Sequence, residues 1–286
     1  MSPQEAIRAA ARRFTEAGVP DPVYDAAALL AHLTGREPLL LRTDRDTVLF
    51  PETLDAYREL TERRAQRIPL QHLLGSAWFC DREWLVTPDV LIPRWETELL
   101  VRRALAHPSG APIADIGTGS GCLAVTLALE THCPVFAVDI SPAALAVAQK
   151  NAARQQASNR ITFLQGDGLS AFRNQARFGR IVSNPPYIPT DECRRLQPEV
   201  LRDPLLALDG GPDGLDILRA LIADAPGALV KGGWLLLEIG SDQAAQVVEL
   251  MRAQPLFGEP HVFQDDAGLD RVVEVQKVST DVGETL

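Results

Sequence analysis

The tetrapeptide Asn-Pro-Pro-Tyr at positions 184–187 has a chemistry that follows from its residue types. Proline lacks a backbone N–H and has a fixed φ, and it holds the preceding residue in an extended conformation. The carbonyl oxygens of Asn184 and Pro185 therefore cannot join a helix and can point into a cleft. Asn184 adds a side-chain amide, and Tyr187 adds a flat ring. The combination suits a planar –NH2 group, such as a carboxamide or the exocyclic amine of a base, although a strand that simply ends in a proline turn has the same residues.

A glycine-rich turn lies upstream, in Asp115-Ile-Gly117-Thr118-Gly119-Ser120-Gly121. It follows an apolar run and precedes a helical pattern, an arrangement in which glycines let backbone N–H groups approach a ligand at a helix N-terminus. Its spacing is G-x-G-x-G, whereas a dinucleotide site has G-x-G-x-x-G. The turn therefore disfavours a nicotinamide-dependent dehydrogenase, for which the chain also offers no evident acid–base pair.

Acidic residues follow the next two predicted strands. Asp139 ends the apolar run that begins at Val135, and Asp167 follows the run from Ile161 to Leu164. In nucleotide-binding folds an acid after the second strand accepts the ribose hydroxyls, so we expect this role for Asp139. An alternative is that Asp139 caps the helix that begins at Ser141-Pro142. The ordered set of glycine turn, two acids and Asn-Pro-Pro-Tyr resembles S-adenosylmethionine-dependent methyltransferases that act on amino groups.

The elements that must position these groups alternate regularly from residue 113 onward. Predicted strands and helices follow each other, and this alternation predicts a parallel sheet with helices on both faces and ligands at the carboxyl ends of its strands. Each motif lies at such an end. The predicted strands are 113–116, 135–139, 161–164, 180–183, 234–238, 261–264 and 271–275.

Residues 1–74 have helical patterns and no predicted strand. The first helix begins with Ser2-Pro3 and has Glu5 at the capping-box position, and further helices are predicted from Pro22 to Gly35 and from Pro51 to about Gln66. We expect a separate small helical bundle. The basic residues near the end of the third helix suit a solvated helix C-terminus or, alternatively, a contact surface for a macromolecular substrate; they are Arg63, Arg64 and Arg67.

Residues 75–92 contain three short apolar runs and are predicted to form a hairpin that links the bundle to the α/β domain. Arg94 and Glu98 follow, before a helix predicted at Leu99. They are either a surface pair of little energetic value or supports for the wall of a cofactor pocket. The long irregular stretch from Tyr187 to Gly214 is expected to be functional or a lid.

The amino-acid composition of the chain disfavours several classes of function. The chain has 286 residues, 46% of them hydrophobic, and a net charge of −10. This charge argues against broad binding to a nucleic-acid backbone, which requires Lys and Arg. The four cysteines are scattered and indicate neither a zinc site nor a disulfide framework. No apolar leader or membrane-spanning run is present, so the expected location is the cytoplasm.

With these residues in view, the chain resembles the bacterial peptide chain release factor glutamine N5-methyltransferases over nearly its whole length. The most discriminating match is Pro93-Arg-Trp-Glu-Thr-Glu98, because Asn-Pro-Pro-Tyr also occurs in DNA adenine and ribosomal RNA methyltransferases. Two positions depart from the family pattern. Trp95 stands where proline is usual, and Gly168 stands where a bulky residue, often tryptophan, is common.

The resemblance implies a Rossmann-like α/β domain with a seven-stranded, mostly parallel sheet and an antiparallel C-terminal strand. This domain would span residues 93–286, and residues 1–74 would dock a class I release factor. The implied reaction methylates the glutamine of a Gly-Gly-Gln loop with S-adenosylmethionine, without a metal. The alternatives are a DNA or RNA amino-group methyltransferase and a catalytically silent module that senses the cofactor. No direct nucleic-acid binding is expected.

For this reaction we expect the following roles for individual residues. The Asn184 side-chain oxygen and the Pro185 carbonyl would accept the two N–H bonds of the substrate amide, beside Pro186 and Tyr187. The backbone of 117–121 would lie against the methionine part of the cofactor, and Asn184 would also contact the cofactor. Asp167 and Gly168 would flank the adenine, Asp139 would bind the ribose, and Arg94 and Glu98 would support the pocket.

Overall fold

The computed structural model describes residues 1–172 and 177–278. The chain divides into two compact units. The first comprises Met1–Ser76 together with Gln197–Arg202, and the second comprises Ala77–Leu196 and the chain from Asp203 onward. The division inferred from the sequence, at residues 74 and 92, stays a prediction.

The first unit is helical. Its first helix has the predicted capping box, because the Ser2 hydroxyl accepts the Glu5 N–H and the Glu5 carboxylate accepts the Ser2 N–H. Gly35 ends the second helix in the left-handed conformation. The sequence reading missed the two shortest helices. The helices are α1 Pro3–Glu16, α2 Pro22–Thr34, α3 Pro38–Thr43, α4 Pro51–Ala65 and α5 Leu70–Leu74.

The basic end of α4 corrects both interpretations made from the sequence. Arg64 is 4% exposed and donates to Asp25 Oδ2 at 2.7 Å and to Glu199 Oε1 at 2.9 Å. Arg67 also pairs with Glu199, at 2.5 Å, and Arg63 is the one exposed residue of the three. Two of these arginines therefore hold residues 197–202 within the helical unit, and they form neither a solvated helix end nor a free contact surface.

The second unit begins with a hairpin and then builds a seven-stranded sheet from its described residues. The sheet order is β5-β4-β3-β6-β7-β9-β8, with β9 antiparallel to both its neighbours and the other pairings parallel. This confirms the predicted fold class. The strands are β1 Ser76–Phe79, β2 Arg82–Leu85, β3 Ile113–Ile116, β4 Val135–Asp139, β5 Ile161–Gln165, β6 Phe178–Ser183, β7 Leu229–Glu238, β8 His261–Gln264 and β9 Asp270–Gln276.

Helices cover both faces of this sheet because successive strand residues point to opposite sides. Leu236 packs in the core beneath α6 and α7, whereas Leu235 and Leu237 pack in the core beneath α10 and α11. The sheet is thus buried on both sides, as parallel sheets are. The helices of this unit are α6 Glu98–Leu105, α7 Cys122–Thr131, α8 Pro142–Arg154, α9 Thr190–Cys193, α10 Asp216–Ala228 and α11 Ala244–Arg252.

Three segments differ from their sequence-based predictions. Strand β7 begins at Leu229, five residues before its predicted start at residue 234. The predicted hairpin is shorter, because only β1 and β2 pair, and Val90 and Ile92 are instead buried in a small cluster with Ala77 and Val147. The stretch after Tyr187 is also more ordered than a plain loop, since Ile188 forms a parallel bridge with Asp209. Among the described residues, no helix is long and apolar enough to span a membrane.

Candidate active site

A cavity of about 300 Å³ opens at the carboxyl edge of the sheet, within the second unit. The register of the strands places their ends side by side, because Ile116 pairs with Val138 and Ser183 with Leu237. Each motif found in the sequence therefore contributes to the same edge. Lining residues that were predicted as site residues are Gly117, Gly119, Asp139, Asp167, Gly168, Asn184, Pro185 and Pro186.

The glycine turn after β3 is held from behind by a buried acid. Asp115 is fully buried, and its Oδ2 accepts the Thr118 hydroxyl at 2.7 Å and the Ala124 N–H at 3.1 Å. Burial raises the pKa of Asp115 to about 7, against the smaller opposing effect of the Thr118 hydrogen bond. These bonds fix the turn to the start of α7 through residues close in sequence.

The two sides of the glycine turn have different surroundings. Gly117 and Gly119 line the cavity, whereas Thr118, Ser120 and Gly121 are not among the described lining residues. Gly121 has a φ of +80°, and a Cβ there would lie 2.9 Å from the Cβ of Ala148, so no other residue fits. The back of the turn thus packs against α8, and its front presents backbone to the cavity.

Asp139 lies at the end of β4 and lines the cavity. Its Oδ2 accepts the Gly119 N–H at 2.8 Å, and its Oδ1 accepts the Ser141 N–H at 2.9 Å. The N-cap of α8 is Ser141, whose hydroxyl accepts the Ala144 N–H, so the interpretation of Asp139 as the helix cap is wrong. Each carboxylate oxygen keeps acceptor capacity for a ligand.

The carboxyl end of β5 is more open than the ends of β3 and β4. Asp167 is exposed and Gly168 has a φ of +56°, with no atom within 4 Å of the position of a Cβ. Both line the cavity. The apolar walls come from other elements, among them Leu206 and Ile217.

The Asn184 side chain is anchored on its nitrogen side. Its Nδ2 donates to Thr97 Oγ1 at 3.0 Å, across 87 residues of sequence. Just before it, the Ser183 hydroxyl donates to the Ile116 carbonyl at 2.6 Å and ties β6 to β3. Because the amide nitrogen is engaged, the side-chain oxygen of Asn184 is the acceptor left for a ligand.

Tyr187 differs in placement from the other residues of its motif. Among the described residues that line the cavity, Tyr187 is absent. Its hydroxyl donates to Glu238 Oε1 at 3.5 Å, and its ring packs against the core beneath α10. Burial raises the pKa of Tyr187 above its ordinary value. The predicted packing of this ring against a substrate amide stays a prediction.

Arg94 and Glu98 serve different partners in the described part of the chain, so they are not a surface pair. Arg94 donates to Asp203 Oδ2 at 2.7 Å, and Asp203 directly precedes the lining residue Pro204. Burial raises the pKa of Asp203 to about 6. The Glu98 carboxylate accepts the Cys80 N–H at 2.9 Å and so holds the hairpin of β1 and β2.

Comparisons with known proteins identify the family. The family model of the PrmC N-terminal domain matches residues 5–75, and that of the methyltransferase small domain matches residues 96–202. The chain is 45% identical over 263 residues to the release factor glutamine methyltransferase of Geobacter sulfurreducens, covering 91% of each chain. The chain belongs to the release factor glutamine methyltransferase family. This confirms the resemblance found in the sequence.

A second relative agrees with this membership, and a solved structure agrees with the fold. The release factor glutamine methyltransferase of Moorella thermoacetica is 43% identical over 277 residues, which are 95% of this chain and 97% of that one. A solved methyltransferase structure from Pyrococcus furiosus has a TM-score of 0.55 at 16% identity, covering 76% of this chain and 98% of that chain. At that identity the structure supports the methyltransferase fold alone.

The site also contains a residue that sequence reasoning missed. Glu238 ends β7, is 1% exposed, and lies behind Asn-Pro-Pro-Tyr, where the Tyr187 hydroxyl reaches it. A charged residue directly after Leu235-Leu-Leu237 was a usable signal, because acids are almost never fully buried without a role or a partner. Thr97 belongs to the motif Pro93–Glu98, but its contact with Asn184 could not be inferred from the spacing of the two residues in the sequence.

Proposed function

We propose that this protein methylates the side-chain amide nitrogen, N5, of the glutamine in the Gly-Gly-Gln loop of class I release factors. The observation that carries the proposal is the anchored amide of Asn184, whose oxygen is left as an acceptor at the edge of the cavity. A carboxamide –NH2 offers two donors, which match that oxygen and the Pro185 carbonyl. Family membership supports the same substrate.

S-adenosylmethionine is the proposed methyl donor, and when bound it supplies an electrophilic methyl group on a sulfonium. The residues present fit an adenosine. Asp139 has one further acceptor site on each oxygen for the two ribose hydroxyls, and Gly117 and Gly119 present backbone without side chains. Asp167 and Gly168 would flank the adenine, with Leu206 and Ile217 as apolar walls.

The chain's own residues would act mainly by positioning. An amide nitrogen is a weak nucleophile because its lone pair is delocalised into the carbonyl. Acceptors at Asn184 and Pro185 would fix the nitrogen and favour the positive charge that develops on it during attack. Positioning of this kind supplies up to roughly 7–11 kcal/mol of a barrier. No strong base is needed, since a methylated, protonated amide loses its proton readily to water.

The helical region of residues 1–74 is the proposed docking module for the release factor, and the chain from residue 93 onward is the proposed catalytic domain. A protein substrate requires no groove that follows phosphates, which agrees with the net charge of −10. We accordingly propose a cytoplasmic location and no direct nucleic-acid binding. Arg94 supports the cavity wall through Asp203.

The decisive experiment is mass spectrometry of a purified class I release factor after incubation with this protein and S-adenosylmethionine. We expect a gain of one methyl group on the glutamine of the Gly-Gly-Gln loop. A release factor with Gln→Ala at that position is the matched control and should gain none. Methylation of DNA or RNA in a parallel incubation, with an unmodified release factor, would instead support the nucleic-acid alternative.

A further inference from the structure

The backbone that follows Asn-Pro-Pro-Tyr is paired with a segment that the proposed mechanism does not use, residues 208–214. The Ile188 N–H donates to the Leu208 carbonyl at 3.0 Å, and the Gly210 N–H donates to the Ile188 carbonyl at 2.9 Å. These two bonds belong to the short parallel bridge between Ile188 and the 208–214 segment. The segment is therefore joined to the chain directly after Tyr187.

Two glycines of the 208–214 segment pack directly against the motif itself. A Cβ at Gly210 would lie 2.8 Å from both the Pro186 carbonyl oxygen and the Tyr187 Cα. Gly214 approaches the next carbonyl, because a Cβ there would collide with the Tyr187 oxygen. Backbones that lie this close require glycine, and one of them cannot shift without displacing the other.

Gln243 joins the same two backbones through its side chain. It is 5% exposed, and its Nε2 donates to the Tyr187 carbonyl at 2.9 Å and to the Gly214 carbonyl at 3.3 Å. Its Oε1 accepts the Gly240 N–H at 2.9 Å. This buried amide is therefore fully hydrogen-bonded, and its three partners are backbone groups of three separate segments.

These contacts bear on Pro185, whose carbonyl is one of the two proposed acceptors of the substrate amide. No described residue donates a hydrogen bond to this oxygen, so its direction depends on the backbone on either side of it. Asn184 is anchored on the amino side, and the contacts above hold Pro186 and Tyr187 on the carboxyl side. Because φ is fixed at both prolines, few torsions are left to redirect the carbonyl.

We propose that Gly210 and Gln243 are positioning residues for methyl transfer, which direct the Pro185 carbonyl at the substrate amide by fixing the backbone of Pro186 and Tyr187. The inference rests on the proposed function, because it assumes that this carbonyl accepts a substrate N–H. Neither Gly210 nor Gln243 is among the described residues that line the cavity, and both act through the motif rather than on the reacting atoms.

The first test compares single-turnover methylation of a class I release factor by the parent, Gly210→Ala and Gly233→Ala, at saturating S-adenosylmethionine. Gly233 is the matched control, because a Cβ there would also meet backbone oxygens, those of Phe178 and Val230 at 3.0 Å. Phe178 begins β6, however, whereas Asn184 follows its end. We expect Gly210→Ala to lose about 10- to 100-fold in rate, the cost of a small displacement of a positioning group, and Gly233→Ala to stay within about threefold of the parent.

The second test removes hydrogen bonds without adding a clash. Gln243→Met has a side chain of similar length but no donor for the Tyr187 and Gly214 carbonyls. Gln276→Met is the matched control, because the Gln276 amide also donates to a backbone carbonyl, that of Gly232 at 3.0 Å, but at the end of β9. We expect Gln243→Met to be about tenfold slower in single turnover and Gln276→Met to stay within about threefold of the parent.

Binding measurements distinguish positioning from general damage. A positioning role lowers the rate of the folded enzyme, so the affinity for S-adenosylmethionine by calorimetry and the KM for the release factor should stay within about threefold of the parent in Gly210→Ala and Gln243→Met. A parental rate in Gln243→Met, an equal loss of cofactor affinity, or losses as large in the two controls would overturn the proposal. Gln243→Met decides the outcome if Gly210→Ala does not fold.

The parent enzyme separates this inference from the function on which it rests. A parent that leaves the release factor unmethylated contradicts the proposed function itself. A parent that methylates it, together with Gly210→Ala and Gln243→Met variants of parental rate, contradicts only the positioning role of these two residues.

Discussion

Two strand ends meet at the cavity, and each has a fully buried acid behind it. Asp115 lies behind the glycine turn after β3, and Glu238 lies behind Asn-Pro-Pro-Tyr after β6. Each acid has one oxygen without a hydrogen-bond partner among the described residues, and burial raises the pKa of each to about 7. Each turn thus has the same kind of electrostatic support, a buried acid with a raised pKa.

The two turns differ in how far away in the sequence the residues that hold them lie. Asp115 holds Thr118, three residues away, and the start of α7. Asn184 depends on Thr97, 87 residues away, and Tyr187 meets Glu238 across 51 residues. The first turn is therefore assembled locally and presents backbone to the cavity, whereas the second needs the whole sheet and presents one oriented side chain. We expect damage to the first to affect folding and cofactor binding, and damage to the second to affect the rate.

The largest expected effect is on the rate, in Asn184→Ala. The variant loses the acceptor for the substrate amide, so single-turnover methyl transfer should fall by about 10²–10³, as when one preorganised group of an active site is removed. Cofactor affinity, measured by calorimetry, should stay within about threefold of the parent. A parental single-turnover rate in this variant would exclude the proposed role of Asn184.

A substitution in the glycine turn should instead lower the free energy of unfolding. Gly121→Ala combines a φ of +80° with a Cβ 2.9 Å from that of Ala148, so we expect the free energy of unfolding to fall by roughly 2–4 kcal/mol. Gly35→Ala is the matched control, because Gly35 has a φ of +65° with nothing within 4 Å, and it should lose only about 1 kcal/mol. Urea unfolding measures both, and equal losses would show that the contact with Ala148 is unimportant.

The same difference explains what the sequence could predict. The strands β3 and β4 and the capping box at Ser2 were predicted correctly because alternation and capping depend on neighbouring residues. The contacts of Arg64 with Glu199 and of Arg94 with Asp203 were missed because they join residues far apart in the chain. Residue types alone therefore located the turns, but not the side chains that orient them.

The buried acid at Glu238 predicts a pH dependence of stability. Its pKa is raised from 4.5 to about 7, mainly by burial and against the opposing effects of Thr97 and Arg271, with Glu96 adding repulsion. Between these values the folded state holds more protons than the unfolded state, so the free energy of unfolding falls as pH rises. Glu238→Gln should lack this contribution and gain on the order of 2 kcal/mol relative to the parent from pH 4.5 to pH 7. Urea unfolding across that range tests this, and parallel curves would contradict it.

The smallest expected effect concerns the cofactor, in Asp139→Ala. The variant loses the proposed acceptor for the ribose hydroxyls and also the bonds that Asp139 accepts from Gly119 and Ser141. We expect about tenfold weaker binding of S-adenosylmethionine by calorimetry, near the lower value for a hydrogen bond to a charged group. At saturating cofactor the methyl-transfer rate should return to within about threefold of the parent, because Asn184 is held independently by Thr97. A rate that stayed low at saturation would show that the two turns are coupled, and it would remove the distinction between a turn that binds and a turn that orients.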